Sequence, residues 1–332
     1  MVAELDRLYI TTRPGKAVVR LVSHLLFQGR YVTTRHRWLN RFIIPALKTI
    51  SHVPIKKVVE KPIFIIGTGR SGSTILGKVL SMHSSIGFLN EPKAVWFVVH
   101  PQDDVNGHFQ LQFGKYRFSA KDATPRVRLN AHRILGFYAA LTGSKRILDK
   151  NPEMLYRIPY LLEIFPDAKF IFLARNGWDV VHSITIWSRQ ARKRMDSGVA
   201  DWWGYNRRKW ELLVEELVPD EPLLAGFQEE IKTIKAEENM AAVEWVLAMQ
   251  EGIRCQLRWP KSVCILKYEN LTRDPRKELS RLLDFCELRQ DEIFLKYSEK
   301  IISPNRSKPA VDLEPFIQWG FAQTMRALDY AL

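Results

Sequence analysis

Residues 62–80 read PIFIIGTGRSGSTILGKVL, the order of parts in an anion cradle. An apolar run leads into a turn holding Gly67, Gly69 and Gly72, and the turn opens a helix whose Ile75, Leu76, Val79 and Leu80 fall at core spacing. Glycines let the backbone turn sharply and approach a ligand, while free amides and the positive end of the helix dipole point at bound negative charge. Arg70 adds a guanidinium inside the turn, and Ser71, Ser73 and Thr74 add hydroxyls. A second cation, Arg175, follows the apolar run 170–174, where a parallel strand delivers ligand-binding groups. Asn176 and Gly177 then turn the chain into a helix whose first turns carry Ser183. An arginine fork beside a hydroxyl suits a terminal phosphate monoester; the other assignment is a strand-end arginine paired with Asp149 or Asp179. Lys150 follows the short strand-like run 146–148, next to Pro152, and is either a ligand-binding cation or a surface lysine.

The turn departs from the triphosphate-binding pattern G-x-x-x-x-G-K-[ST]: Gly67, Gly72 and Thr74 match it, but Ser73 stands in the lysine position. Without that lysine, and without an evident strand-ending Asp for Mg²⁺, the usual neutralisation of a triphosphate is missing. G-T-G-R-S-G-S-T followed by I-L-G-K-V-L resembles the 5′-phosphosulfate loop of the PAPS-dependent sulfotransferases, PAPS being 3′-phosphoadenosine 5′-phosphosulfate. Residues 161–183, LLEIFPDAKFIFLARNGWDVVHS, resemble the 3′-phosphate motif of that family, which maps to Arg175 and Ser183. Asp-Lys-Asn-Pro at 149–152 is similar to a segment of the tyrosylprotein branch whose lysine contacts the transferring group, here Lys150. Residues 268–286 resemble the family's Tyr-Glu-x-Leu stretch and the helix after it, so the likeness spans about residues 62–290.

The resemblance implies an enzyme with PAPS as co-substrate, 3′-phosphoadenosine 5′-phosphate as product and no metal. Gly69, Arg70, Ser71, Gly72, Ser73 and Thr74 would hold the 5′-phosphosulfate, and Arg175 and Ser183 the 3′-phosphate. Asn305-Arg306-Ser307-Lys308-Pro309 resembles a basic loop that closes over the nucleotide, which adds Arg306 and Lys308. I-G-F-L-N-E-P at 86–92 resembles the carbohydrate branch, whose Glu is proposed to deprotonate the acceptor, so Glu91 is the candidate base. An alcohol must lose its proton as it attacks, and a carboxylate within hydrogen-bond reach can accept it. The small-molecule branch uses a histidine instead, which keeps His83, His100, His108 and His132 as alternatives. The implied reaction is an in-line displacement at sulfur by a hydroxyl of a small molecule, glycan or lipid. Arg70, Lys150 and the 71–74 amides and hydroxyls would meet the charge that builds on the departing nucleotide. Two other readings are a Mg²⁺-dependent P-loop kinase or NTPase and a non-catalytic nucleotide-binding adaptor.

The elements that must position these groups follow from the pattern. Short apolar runs at 62–66, 86–89, 146–148, 170–174 and 263–268 read as strands separated by helical spacing. Such alternation predicts an α/β fold, a single P-loop-type domain over 61–332 with a central mostly parallel sheet flanked by helices. Residues 189–240 interrupt it with a Trp-rich insertion expected to be helical, including a helix at 228–238.

The chain has 332 residues, with 50 Lys and Arg against 36 Asp and Glu, a balance of +14. Residues 1–60 hold eleven of those cations against Glu4, Asp6 and Glu60, interleaved with apolar residues as in a basic amphipathic helical extension. Two readings of this composition are packing of that extension on the core with its charges turned to water, and docking on an anionic membrane. No helix-turn-helix, zinc-finger or RNA-binding signature focuses the charge on nucleic acid. Cys255, Cys264 and Cys286 form neither an even set nor a Cys-x-x-Cys pair, which suits a reducing compartment, and with no apolar leader or membrane-spanning run the expected location is cytoplasmic, membrane-peripheral at most. No pattern in the sequence sets an oligomeric state.

Overall fold

Every residue of β1 (Ile63–Gly67) is buried, so this strand needs covering layers on both faces. The computed structural model describes residues 4–31, 34–54, 58–109, 114–195, 198–304 and 307–331, without the side chains of 193–195. β1 is the middle of a five-stranded parallel sheet with β2 (Ile86–Asn90), β3 (Arg146–Lys150), β4 (Lys169–Ala174) and β8 (Val263–Lys267), in the order β2-β3-β1-β4-β8. Ile63, Ile65, Leu148, Ile171 and Leu173 face Leu76, Val79 and Leu80 of the helix Ser73–Ser81. Phe64, Ile66, Phe170 and Phe172 face the opposite layer, which holds Val180 and Ile184 of the helix Gly177–Ala191 and the long helix Glu237–Arg258. That long helix lies close on the sheet: a Cβ on Gly252 would fall 2.1 Å from the Phe172 ring. Truncating a ring buried like Phe172 costs about 3–5 kcal/mol.

The chain leaves β1 toward β2 and leaves β4 toward β8, on opposite sides and through helices on opposite faces. The crevice between the carboxyl ends of β1 and β4 is therefore a topological switch point, where open α/β sheets bind ligands. The expected strands are all present, with shifts of one or two residues at their ends. β3 continues to Lys150, which pairs in register with Asn90 and Ile65, so Lys150 ends the strand instead of following it. β2 likewise runs on through Asn90. Tyr268 opens a helix, Tyr268–Arg273, where the sequence reading has it close a strand.

The 189–240 stretch differs more. After the helix Gly177–Ala191 it forms a three-stranded antiparallel sheet of β5 (Lys193–Met195), β6 (Gly198–Asp201) and β7 (Gly204–Tyr205) before the helix Arg208–Glu216. These strands are too short for a period-2 pattern to stand out. The expected helix at 228–238 ends at Thr233, because Ile234 and Ala236 are extended, and a new helix starts at Glu237.

The N-terminal helix Pro14–Val22 lies along β2, the outer strand on that side, and the helix Arg7–Thr12 before it packs against the helix Glu292–Ile301. Arg146 donates its amide to Ser85, so the carbonyls of Ile86 and Phe88 point the other way, out of the sheet. Lys16 Nζ donates to Ile86 O at 2.5 Å, and Arg20 donates to Phe88 O at 2.6 Å while stacking over the Phe88 ring. Arg13 bonds to Met82 O and to Asp291. Several of the extension's cations are thus turned inward, where the sequence reading sets them toward water. Burial pulls the Lys16 pKa down to about 8. Cys255, Cys264 and Cys286 are buried thiols.

Candidate functional site

The candidate residues gather at the carboxyl ends of the strands because each strand ends in one of them or leads into one. β1 stops at Gly67 (φ 138°), where a Cβ would fall 2.7 Å from Leu173 O. The chain then turns through Arg70 in the left-handed region (φ 63°) and Gly72 (φ 95°), which caps the helix Ser73–Ser81. Ser71 Oγ ties the turn to Thr68 O at 2.7 Å. A Cβ on Gly69 would fall 2.3 Å from the Trp202 ring, and one on Gly72 would fall 2.4 Å from Tyr268. Both glycines are needed for close approach of aromatic side chains, which the local motif alone does not reveal.

Across the switch point, Arg175 donates to Arg70 O at 3.2 Å and Arg70 Nε donates to Ser183 Oγ at 3.1 Å. Arg175 lies over the Tyr268 ring, 4.4 Å from its centroid. It also pairs with Asp179 at 3.2 Å, as the other assignment of this arginine has it. That pairing leaves Arg175 Nε buried with no partner among the described residues. Burial and the nearby Arg175 charge lower the Arg70 pKa, so two crowded guanidiniums share a site suited to an anion. The Lys308 amide donates to Asp179 Oδ1 at 2.7 Å, which carries Lys308 to this edge. Arg306 lies outside the described residues. Arg70, Gly72, Ser73, Thr74, Arg175, Ser183 and Lys308 line one cavity, of about 390 Å³.

A second cavity, of about 260 Å³, opens on the other side of the turn and shares Arg70, Ser73, Thr74 and Trp187 with the first. Glu91 and Lys150 line it and are bonded to each other, Lys150 Nζ to Glu91 Oε1. Glu91 stands just past β2 in the left-handed region (φ 49°), its amide held by Lys150 O at 2.7 Å. Tyr31 Oη donates to the second carboxylate oxygen at 2.8 Å. Burial pushes the Glu91 pKa up, but the Lys150 and Lys93 charges with the Lys150 and Tyr31 hydrogen bonds outweigh it and hold it at about 2. Burial and the Glu91 charge raise the Tyr31 pKa well above its ordinary value.

Two further buried pairs line the same cavity: Lys93 with Glu153, and Lys209 with Glu244 at 2.7 Å. Glu244 also accepts from Trp202 Nε1 at 2.8 Å, which fixes the ring that touches Gly69. Behind Lys150, Asp149 is fully buried, accepts from Trp96 Nε1 at 2.6 Å and leaves Oδ1 unpartnered among the described residues; burial raises its pKa to about 7.

Of the four alternative histidines only His108 lines this cavity, with its ring edge-on to Tyr31 at 4.9 Å. His83 meets Arg289 O and His132 meets Ile164 O, while His100 packs between Phe118 and Tyr160. Burial, opposed by Asp104, lowers the His108 pKa to about 4. The sequence reading missed Tyr31, Lys93, Glu153 and Glu244, because each reaches the cavity through tertiary packing and sits in no local pattern.

With this geometry in view, the comparison with known proteins is specific. The model of the sulfotransferase family matches residues 62–223, which include both cavities' shared wall. A protein-tyrosine sulfotransferase of Drosophila melanogaster is 23% identical over 250 residues, 73% of this chain and 41% of that protein. The nodulation protein NoeE of Sinorhizobium fredii is 27% identical over 133 residues, 36% of this chain and 30% of that protein. The chain thus spans well under half the length of these two relatives. A putative protein-tyrosine sulfotransferase of Caenorhabditis briggsae is 21% identical over 288 residues, 81% of this chain and 85% of that protein. Among solved structures, the sulfotransferase domain of the Synechococcus PCC 7002 olefin synthase aligns over 84% of this chain and 98% of its own, at 19% identity and a TM-score of 0.49. Residues 62–223, just under half of the chain, thus match the sulfotransferase family.

Proposed function

We propose that the protein transfers a sulfuryl group from PAPS to a hydroxyl acceptor, with the donor in the Arg70–Arg175 cavity and the acceptor in the Glu91–Lys150 cavity. The observation that carries this reading is the shared wall: Arg70, Ser73, Thr74 and Trp187 face both cavities, so groups bound on either side meet there. The unpartnered Arg175 Nε and the Arg70–Ser183 contact fit a phosphate monoester, with Lys308 at the rim. The turn amides, Arg70 and the start of the helix Ser73–Ser81 fit the phosphosulfate. Bound there, the donor supplies an activated sulfuryl group and a nucleotide leaving group.

Lys150 then has two claims on it, Glu91 and the sulfuryl oxygens. Moving toward the sulfuryl group, it releases Glu91 Oε1 and lets the Glu91 pKa rise, so the base strengthens when the donor is in place. The acceptor hydroxyl gives its proton to Glu91 while its oxygen bonds to sulfur, and the bond from sulfur to the nucleotide's bridging oxygen breaks. Lys150, Arg70 and the turn amides meet the charge left on that oxygen. Trp202, Tyr116, Tyr156 and Tyr205 give the acceptor cavity aromatic walls between its charged pairs, a lining that suits a ring-bearing hydroxyl compound. The names of two relatives add a tyrosine phenol to the glycans, lipids and small molecules to be screened.

The test is calorimetric titration with 3′-phosphoadenosine 5′-phosphate, 5′-AMP and ATP, each with and without Mg²⁺. Binding that needs the 3′-phosphate and not the metal, and that weakens roughly 10–100-fold in Arg175→Ala, is the expected result. A preference for Mg²⁺-ATP would overturn the reading in favour of a kinase or NTPase.

A further inference from the structure

Residues 7–59 contain eleven Lys and Arg and not one Asp or Glu. The structure divides eight of these cations into two sets. Arg13, Lys16, Arg20 and Arg30 are used internally, on Asp291 and on main-chain carbonyls. Arg35, Arg37, Arg41 and Lys48 are exposed, and large apolar side chains are exposed among them. Trp38 is 54% exposed and Phe42 61%, their rings edge-on at 6.1 Å on the outer face of the helix Asn40–His52 and the turn before it. Val18, Leu21, Leu25 and Leu26 are also exposed on the preceding segment, against which the helix Asn40–His52 packs.

The same segment walls the acceptor cavity. Tyr31 and Thr34 line it, and Arg37 donates to the carbonyl of His108, another lining residue, at 3.1 Å. The cavity rim therefore runs directly into the exposed Arg35–Trp38–Phe42 surface.

We propose that this surface docks on an anionic lipid bilayer, so that the acceptor cavity opens beside the membrane. The cations would meet lipid headgroups while Trp38 and Phe42 enter the headgroup region, the division of labour of an interfacial helix. A symmetric contact with a second copy would set Arg35, Arg37 and Arg41 against their own equivalents with no carboxylate in 7–59 to compensate. Nucleic acid would satisfy the cations and leave the exposed aliphatic residues unused.

The test uses the full chain and co-sedimentation with vesicles of phosphatidylcholine alone and of phosphatidylcholine with phosphatidylglycerol. Binding to the anionic vesicles only, weakening as salt rises, is expected. The triple variant Arg35→Gln, Arg41→Gln, Lys48→Gln should bind roughly a hundred-fold more weakly. Trp38→Ser with Phe42→Ser should bind at least roughly tenfold more weakly, and none of these five residues lines either cavity. Thermal melting checks that the variants stay folded. Absence of vesicle binding, equal binding to neutral vesicles, or binding unchanged in both variants would overturn the proposal. So would sedimentation-velocity evidence of a dimer that Trp38→Ser dissociates, or nucleic-acid binding lost in the triple variant with no vesicle binding. The vesicle readout needs no sulfuryl transfer, so its failure leaves the proposed reaction standing, and the reverse.

Discussion

Glu91 and Lys150 form one ion pair across the β2–β3 edge, each holding the other from the end of its own strand. The Glu91 carboxylate meets Lys150 Nζ through one oxygen and Tyr31 Oη through the other, so both acceptor positions are occupied when no ligand is bound. Under the proposed mechanism the base is therefore fully ionised but weak until the lysine is drawn away.

This coupling should appear in the pH profile. kcat/KM reports ionisations of the free enzyme, so Glu91, at about 2, should give no acidic limb near the ordinary 4.5. In Lys150→Met, burial of Glu91 loses its nearest opposing charge, and the limb of the residual activity should move upward past that of the parent. Identical limbs in the two proteins would show that Glu91 is not the titrating base. Glu91→Gln should lower kcat by about 10²–10⁴ at all pH values while leaving nucleotide affinity nearly unchanged.

Tyr31 is a positioning residue in this scheme. Tyr31→Phe removes one hydrogen bond to the carboxylate and should reduce kcat by up to about tenfold, with the KM for the donor unchanged. Its distinguishing readout is the same limb, which should move upward because a bond to the charged form is lost. A donor KM that rose in step with a fall in kcat would instead mean that Tyr31 supports the fold of the cradle.

Gly69 and Trp202 should couple. Gly69→Ala drives a methyl into the indole, so nucleotide binding should weaken, and a background of Trp202→Ala should recover much of that loss. Additive effects in the double-mutant cycle, measured by calorimetry, would contradict the close approach.

Asp149 gives a stability prediction with a definite sign. Its pKa is raised from 3.8 unfolded to about 7 folded, so the native protein holds a proton that the unfolded chain has lost between those values. Its contribution therefore turns unfavourable as pH rises from about 4 to 7 and is constant above. Asp149→Asn should be close to neutral at pH 4 and stabilising at pH 8, by on the order of 2–4 kcal/mol. Melting curves at the two pH values check this, and an equal effect at both would refute it.

Much of this architecture was legible because its signals are local. The glycine turn, the apolar strand before it and the amphipathic helix after it lie within 62–80, and Arg175 with Ser183 lies within one strand-turn-helix unit. The parts that were not legible depend on distant segments. Tyr31 reaches Glu91 from sixty residues away, and Glu244 fixes Trp202 from forty-two. The pairing of Arg175 with Asp179 was visible as one choice of two, and only the fold shows that the same arginine also faces the cavity. The small sheet of β5, β6 and β7 was hidden because its strands have two to four residues and the surrounding charge pattern reads as helix.

The contacts of Lys16 and Arg20 on β2 carry a consequence for solubility. A bare outer strand presents carbonyls and amides that another chain can zip onto, and long cationic side chains laid across it act as a guard against that association. Shortening the chain to remove residues 1–27 would strip this guard while leaving Arg35, Arg37, Arg41 and Lys48 in place. The product should self-associate through β2, whatever it does to sulfuryl transfer.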